Sequence, residues 1–340
     1  MRLRTGLRLL WRSPDEVQIG TDPRWAIRLT GLTTGEIGLL RELADGVAGR
    51  GLGSRATALG VSAPRLEALG RELARAQVTV PEDARWQLAA GSLPAASGPD
   101  AAAWTRLLAG GEGARLVAAR RDRTVGLIGA GRLGLSAAVT LAAAGVGTVL
   151  VEDEVHVSPA DLGVGGYTVR DLESPRHAAA ARVLRTVAPA VGTRAAAGTR
   201  PDVVVVVEHG AADAHRARLL MTAGVVHLSV VVREADVVIG PLVVPGSSAC
   251  LRCLDLHRTD ADDRWPAVAT QLAGQSGRPR GGEESVLAAI AGALAAGQVL
   301  AELDGTGART RGAALEVALP DAVPRLRRWP VHPSCGCTGL

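Results

Sequence analysis

Thr124-Val125-Gly126-Leu127-Ile128-Gly129-Ala130-Gly131-Arg132-Leu133-Gly134 is the stretch that decides the fold of this 340-residue chain. Its first five residues are a short, mostly apolar run that is typical of a buried parallel strand, and the residues after it predict a helix. Gly129 and Gly131 allow a tight turn and a close approach of backbone to phosphate, while Gly134 lets the helix pack on the strand. The motif therefore predicts a strand-turn-helix unit that either binds a nucleotide or serves only as structure.

The alternation of strands and helices continues along the chain. The elements predicted around the loop are strands at 124–128, 148–151 and 203–207 and helices at 133–144 and 176–187. This order predicts an α/β fold with a doubly wound, Rossmann-like sheet. The second strand ends at Glu152-Asp153, about twenty residues after the glycines, where a carboxylate can accept ribose hydroxyls. A shift of one residue in strand register exchanges these two acids, so both are candidates.

All four cysteines fall into two close pairs, Cys250/Cys253 and Cys335/Cys337. Two such pairs are typical of a tetrahedral thiolate site, with structural Zn²⁺ as the usual occupant. Disulfides and unrelated free thiols are the alternatives. A secreted disulfide scaffold is a poor fit, because such chains are short and cysteine-dense. If all four thiols bind metal, none remains as a nucleophile.

Composition restricts the partners. The net charge of +4 is spread along the chain without a basic block, so nucleic acid is not an implied partner. Arginines interrupt the apolar N-terminal stretch, and no run reaches the roughly eighteen apolar residues of a membrane span. We expect a cytoplasmic protein without a membrane partner. The apolar segment 284–303 predicts a helix buried against the sheet or a partner subunit.

The first ninety residues predict a small α+β module. Two extended stretches at 7–11 and 25–29 precede a helix that begins at the capping-box pair Thr33 and Glu36. The elements predicted after it are a short helix at 54–59, a helix from Ser62 with Pro64 in its first turn, and a strand at 77–80. This order suggests a winged-helix-like module, for which DNA binding, peptide binding and a scaffold or dimerisation role stay open.

A Gly-, Pro- and Ser-rich stretch at 91–100 predicts the linker between domains. The predicted domains are residues 1–90, the N-terminal module; 91–114, the linker and a connecting helix; and 115–340, the nucleotide-binding domain with the cysteine pairs.

The glycine loop, the acidic strand end and the late cysteine pairs together resemble the ThiF/MoeB superfamily, the bacterial relatives of ubiquitin-activating enzymes. The similar segments are 129–134 (family G-x-G-G-L-G), 141–147, 152–158 (family V-D-x-D-x-V-x-x-S), 240–246 before the first zinc knuckle, and 332–337 at the second. The resemblance implies ATP and Mg²⁺ as cofactors, structural zinc, and adenylation of the C-terminal carboxylate of a small carrier protein or peptide. It also implies a homodimer.

Several positions depart from the family pattern and predict a degenerate nucleotide site. Arg132 replaces a glycine of the loop, and the arginine and glutamine expected after the S-N-L triplet are missing from 161–166. Arg176 stands where the family has a lysine, which is not a neutral exchange. Glu208, followed by His209, stands where the family has a Mg²⁺-binding aspartate. Arg176 is either a phosphate contact or a solvated helix residue, and Glu208 either a metal ligand or a water-facing acid.

Two functions follow from the resemblance. The first is ATP-dependent adenylation of a peptide or carrier-protein carboxylate, without a catalytic cysteine; no catalytic residue is predicted. The second is a catalytically silent scaffold that binds a precursor (leader) peptide for a partner cyclodehydratase, as in thiazole- and oxazole-forming peptide pathways. A nicotinamide dehydrogenase would leave the cysteine pairs unexplained. His227, His257 and His332 are expected to be packing or surface residues, with His332 an alternative zinc ligand.

Overall fold

The computed structural model describes residues 2–4, 6–46, 51–80, 93, 95–108, 110–163, 165–196, 198–273 and 283–338. The chain divides into two compact units, Met1–Ala119 and Arg120–Leu340. Linker residues 91, 92 and 94 lie outside the described residues. The domain bounds derived from the sequence, at residues 90 and 114, stay predictions.

The first unit combines short strands with five helices among its described residues. They are β1 (Arg2–Leu3), β2 (Leu9–Ser13), β3 (Glu16–Ile19), β4 (Ile27–Leu29), α1 (Thr34–Ala44), α2 (Leu52–Ala58), α3 (Ala63–Arg75), β5 (Thr79–Val80), α4 (Gly98–Leu107) and α5 (Gly113–Ala119). Strands β2, β3 and β4 form an antiparallel sheet, and β1 pairs with β5. The capping box predicted at Thr33 and Glu36 is confirmed at the start of α1. The likeness to a winged helix stays a prediction.

The second unit is built on a seven-stranded sheet. Its elements are β6 (Thr124–Ile128), α6 (Arg132–Ala143), β7 (Thr148–Glu152), α7 (Arg176–Val187), β8 (Val203–His209), α8 (Ala214–Thr222), β9 (His227–Val232), β10 (Asp236–Val243), α9 (Leu251–Ala261), α10 (Trp265–Ala273), α11 (Ser285–Leu303), β11 (Ala313–Ala318) and β12 (Arg325–Arg328). The strand order is β12-β11-β10-β9-β8-β6-β7, and the predicted α/β class is confirmed.

The sheet is mixed, and its parallel half positions the glycine loop. Strands β7, β6, β8 and β9 are parallel, while β10, β11 and β12 add antiparallel pairs. The chain passes from β6 to β7 on one side and then returns to β8 on the other side of β6. Ligands of open α/β sheets bind at such a reversal, beyond the carboxyl ends of the strands. The glycine loop follows β6 at this point.

Helix α11 packs against α6. The buried positions of α11 are mostly alanine, and a Cβ on Gly292 would lie 2.7 Å from Ser136 Oγ. Small side chains therefore let the two helices approach closely. With 19 residues and a mean hydropathy of 1.8, α11 is long and apolar enough to cross a membrane, so the expectation that no segment reaches this length was wrong. Such a helix is also typical of a soluble core, because core helices share this composition.

Candidate functional site

The glycine loop forms the tight turn that its sequence predicts. Gly129 has φ of +85°, and a Cβ there would lie 2.5 Å from the Val207 carbonyl oxygen. A Cβ on Gly134 would collide with the Gly129 carbonyl oxygen. Gly131 is the N-cap residue of α6 and has no side chain with which to cap the helix. Both the turn and the close packing thus require glycine, whereas contact with a nucleotide stays a prediction.

Asp153, and not Glu152, faces the loop. The Ala130 N–H donates to Asp153 Oδ2 at 2.7 Å, and the Val155 N–H donates to Oδ1 at 2.9 Å. Glu152, by contrast, is exposed at the end of β7. The sequence left these two acids as alternatives for the ribose, and the strand register places Asp153 against the loop. Both of its oxygens already accept hydrogen bonds from the protein.

Arg176, at the start of α7, lies between two aspartates. Its Nη2 donates to Asp161 Oδ1 at 2.6 Å, and its Nη1 lies 3.3 Å from Asp153 Oδ2. Burial acts to lower the pKa of Arg176, but hydrogen bonds and charges from both aspartates outweigh it and raise the pKa above its ordinary value. The side chain is 19% exposed, so it is not the solvated helix residue considered above. Its charge is balanced within the protein.

Arg132 is directed into a second set of internal contacts. Its Nη1 donates to the Glu283 carbonyl oxygen at 2.9 Å and to Ser285 Oγ at 3.0 Å, and its Nη2 donates to the Leu162 carbonyl oxygen at 2.6 Å. Arg132 therefore connects the start of α6 to the residues that open α11. These contacts use two of the three guanidinium nitrogens.

The side chain of Glu283 lies at the N-terminus of α6. The Leu133 N–H donates to its Oε2, and His209 Nε2 lies 3.3 Å from its Oε1. A Cβ on Gly131 would lie 2.7 Å from the same Oε1. The Glu283 side chain is only 6% exposed. A carboxylate from a residue 150 positions away therefore accepts an N–H group at the helix end where a phosphate was expected.

The four cysteines converge at the first turn of α9. Cys250 is the N-cap residue of α9 and Cys253 lies in its first turn. The Sγ–Sγ distances are 3.5 Å for Cys250–Cys335, 3.4 Å for Cys253–Cys337 and 3.9 Å for Cys250–Cys253. These distances exceed a disulfide bond of about 2.05 Å. All four sulfur atoms lie within 4.8 Å of one another, in an arrangement that could hold a metal ion.

A protein-family model described as the ThiF family matches residues 109–337. The chain belongs to the ThiF family. No curated protein sequence matches it.

Solved structures show the same fold over nearly the whole chain. E. coli MccB with ATP is 14% identical, covers 99% of this chain and 98% of its own, and gives a TM-score of 0.70. MccB in complex with N-formylated MccA is 14% identical, covers 99% of both chains and gives a TM-score of 0.72. PaaA is 13% identical, covers 95% of this chain and 98% of its own, and gives a TM-score of 0.66.

At the position where the ThiF family is expected to bind Mg²⁺, Glu208 is engaged by α8. The Asp213 N–H donates to Glu208 Oε2 at 3.2 Å, and Arg216 Nη1 lies 3.3 Å from Oε1. Burial raises the pKa of Glu208, although the Asp213 N–H and the Arg216 charge oppose this effect. Glu208 is 9% exposed, so it is not a water-facing acid. Its role as a metal ligand stays a prediction.

The histidines have structural partners. His332 Nε2 lies 2.8 Å from Asp260 Oδ2, and its Nδ1 accepts from the Ser334 N–H at 3.1 Å. His332 also lies in a second group of possible metal ligands with His257 and Asp260, whose ligand atoms lie within 4.8 Å of one another. His257 Nε2 lies 3.0 Å from the Pro330 carbonyl oxygen, and burial lowers the pKa of His227. These contacts agree with packing roles for the histidines, and the four thiols are one of two groups of described residues that could hold a metal ion.

Three residues that contact the glycine loop or Arg176 were not predicted from the sequence. Glu283 and Asp161 supply carboxylates, and the buried Tyr167 hydroxyl lies 2.9 Å from the Ala130 carbonyl oxygen. Burial raises the pKa of Tyr167, which keeps this hydroxyl a donor. Tyr167 is the only tyrosine of the chain, which is a weak signal. Nothing in the local sequence indicates that Glu283 reaches α6.

Proposed function

We propose that this chain is a peptide-binding ThiF-family protein that captures a precursor peptide for modification by a partner enzyme. The observation that carries the proposal is the extent of the structural likeness. It covers 99% of this chain, including the first unit, and the MccB structures include complexes with MccA. The second unit then acts as a scaffold that retains the architecture of a nucleotide-binding domain.

The charges around the glycine loop favour this silent form over turnover. ATP brings several negative charges, and adenylation depends on cations positioned around them. Among the described residues, Arg176 is balanced by Asp153 and Asp161, and Arg132 donates to protein oxygens. Glu283 adds a carboxylate at the end of α6. A polyphosphate would have to displace these partners.

Adenylation is the second candidate, and the intact turn at Gly129 with Asp153 beside it favours this activity. In that reaction a carboxylate oxygen of the peptide or carrier protein attacks the α-phosphorus of ATP. The bond to the bridging oxygen breaks, and pyrophosphate leaves with its electron pair. Mg²⁺ would be held by Glu208 in this alternative. The reaction would stop at the acyl adenylate, because the four cysteines are assigned to metal.

The first unit offers a cleft for the peptide. A cavity of about 320 Å³ is lined by side chains that include Trp25, Trp104, Arg24 and Arg106. Tryptophan and arginine are the residue types that contribute most to binding energy at interfaces. We assign an extended peptide segment to this cleft. Trp11, which is 51% exposed elsewhere in the unit, provides a matched control.

We further propose that the four cysteines hold a structural Zn²⁺. Tetrahedral coordination with Zn–S bonds of about 2.3 Å separates the sulfur atoms by roughly 3.8 Å. The three distances of 3.4, 3.5 and 3.9 Å bracket this value. Four thiolates leave no open position, which is the pattern of a structural rather than a catalytic site. A homodimer and a cytoplasmic location complete the proposal.

The test combines two measurements on the full chain. Binding of each short peptide that the neighbouring genes encode is measured by fluorescence anisotropy, with a scrambled peptide as control, and ATP–pyrophosphate exchange is measured with and without that peptide. We expect micromolar or tighter binding, at least tenfold weaker in Trp104→Ala and unchanged in Trp11→Ala, with no exchange. Peptide-dependent exchange would establish the second candidate instead. Absence of peptide binding would overturn the first candidate, and absence of exchange with peptides and carrier proteins alike would overturn the second.

A further inference from the structure

The N-terminus of α6 has no side-chain cap of its own, which it shares with α7 and α9. Helix α8 is capped by its own Asp213, and α11 is capped by its own Glu284, whose side chain accepts from the Leu287 N–H. Gly131, at the start of α6, has no side chain to offer. A helix N-terminus carries a partial positive charge and unpaired N–H groups that favour an anion. At α6 this anion is Glu283.

The position of Glu283 is held from two directions. Its carboxylate accepts from the Leu133 N–H and lies near His209, while its carbonyl oxygen accepts from Arg132. The residue that follows it, Glu284, is the cap of α11. The backbone of Glu283 is therefore anchored by Arg132 and by the start of α11, and its side chain is only 6% exposed.

A carboxylate and a phosphate compete for this position. Both are anions that accept hydrogen bonds from the same N–H group, and Gly131 lets either approach the backbone. A phosphate entering beside Glu283 would meet a like charge, and removing one partner from a buried charge contact is costly. The Leu133 N–H therefore has an acceptor without a nucleotide, whereas the buried Arg132 Nε has no hydrogen-bond partner among the described residues.

We infer that Glu283 is a built-in anion that occupies the phosphate position of the glycine loop and makes the loop reject nucleotide phosphates. The inference goes beyond peptide capture, because it concerns the selectivity of the second unit for its ligand. Adenosine, which has no phosphate, is not repelled by Glu283. Affinity should therefore fail to increase along the series adenosine, AMP, ATP in the wild-type chain.

Calorimetry with adenosine, AMP and ATP, each with Mg²⁺, tests the inference on the full-length wild type, Glu283→Ala and Glu283→Gln. We expect Glu283→Ala to bind ATP at least about tenfold more tightly than the wild type, the factor that corresponds to about 1.4 kcal/mol. Adenosine binding should change less than about twofold, because Glu283 acts on phosphate charge. Glu283→Gln should be intermediate, since the amide oxygen still accepts the Leu133 N–H but carries no charge.

Glu154→Ala is the matched control. Glu154 follows Asp153, and its side chain is 88% exposed, so its removal changes the net charge near the loop without touching α6. ATP binding by Glu283→Ala that is no tighter than wild type, or an equal gain in Glu154→Ala, would overturn the inference. The inference would also be overturned if the wild-type chain bound ATP more tightly than adenosine. Peptide binding, measured on the same variants, should equal that of the wild type. A wild type that binds no peptide would count against the proposed function and not against this inference.

Discussion

The cysteine cluster and the glycine loop are the two sites that the sequence indicates, and they differ in how their charges are balanced. The cluster brings together four donors of one kind, with their sulfur atoms 3.4 to 3.9 Å apart in three measured pairs. At the glycine loop, Arg176 meets two aspartates and the end of α6 meets Glu283. We propose that a cation completes the thiol donors, whereas at the glycine loop carboxylates of the protein itself accept from Arg176 and from the Leu133 N–H. Matching residue types to a ligand therefore does not establish that the ligand is needed.

Removing a ligand from the cluster should give the largest effect. Cys253 is fully buried, and Cys253→Ser should reduce the zinc content from one ion per chain to less than about a tenth. Because structural zinc sites contribute on the order of 10 kcal/mol in small domains, the second unit should lose at least about 4 kcal/mol of unfolding free energy. Elemental analysis and urea denaturation measure the two quantities.

His332→Ala is the control for this prediction. His332 is buried beside the cluster, but its ring nitrogens contact Asp260 and Ser334. We expect it to keep its zinc while Cys253→Ser does not. Full zinc content in Cys253→Ser would show that Cys253 is not a zinc ligand, and absence of zinc from the wild type would mean that the cluster, like the glycine loop, is complete without a ligand.

Breaking the charge balance at the glycine loop should have the next largest effect. Arg176→Met leaves Asp153 and Asp161, both 7% exposed, without their cation. Loss of one partner from a buried ion pair typically costs about 3–5 kcal/mol, and urea denaturation should show a loss of this size. Combining it with Asp161→Asn should restore part of the loss, because one unpaired charge is removed.

Arg185→Met, on the same helix, is the control. Its guanidinium contacts Thr193 at the exposed surface, so the change should cost less than about 1 kcal/mol. Equal losses in the two variants would show that Arg176 does not balance a buried charge. The guanidinium of Arg176 would then be available to an anionic ligand, and the loop, like the cluster, would need a ligand to balance its charge.

The pH dependence of Glu208 should give the smallest effect. Burial raises the pKa of Glu208 above its ordinary value of 4.5, so the folded state binds this proton more tightly than the unfolded state. Its contribution to stability is present at low pH and is lost as pH rises above 4.5 through the higher pKa of the folded state. Glu208→Gln removes this loss. Its stability relative to wild type should therefore increase between pH 4 and pH 7, as followed by urea denaturation. Parallel curves, or the opposite slope, would show that Arg216 and the Asp213 N–H outweigh the burial.

Local patterns allowed much of the fold to be predicted. The strand at residues 124–128, the turn at Gly129 and the capping box at Thr33 depend on neighbours within a few residues, and all three are observed. The convergence of the two cysteine pairs was also predicted, because four thiols in two short motifs are typical of a single metal site. The sheet's antiparallel half, β10 to β12, was not predicted, because the direction of a strand is set by its pairing with distant segments and not by its own residues.

The charge network around the loop could not be predicted in the same way. Arg176 was expected to contact phosphate or water, but it contacts Asp161, which lies 15 residues earlier, and Asp153. Glu283 and Leu133 are separated by 150 positions. Such pairs depend on how the ends of β6, β7 and α11 meet in space, and neither helical nor strand periodicity contains that information.

The cysteine cluster joins two parts of the chain that are 85 positions apart. A metal bridging Cys250 and Cys335 would close a ring across 85 positions, and this ring includes α11 and Glu283. Cross-linking a ring of that length restricts the unfolded chain by an amount worth roughly 4.6 kcal/mol in the chain-entropy model of disulfides. With such a metal bound, the anion at the glycine loop would be carried on a segment tethered at both ends. Any movement that withdraws Glu283 must be absorbed inside that ring, so removing the metal should loosen the hold on the loop.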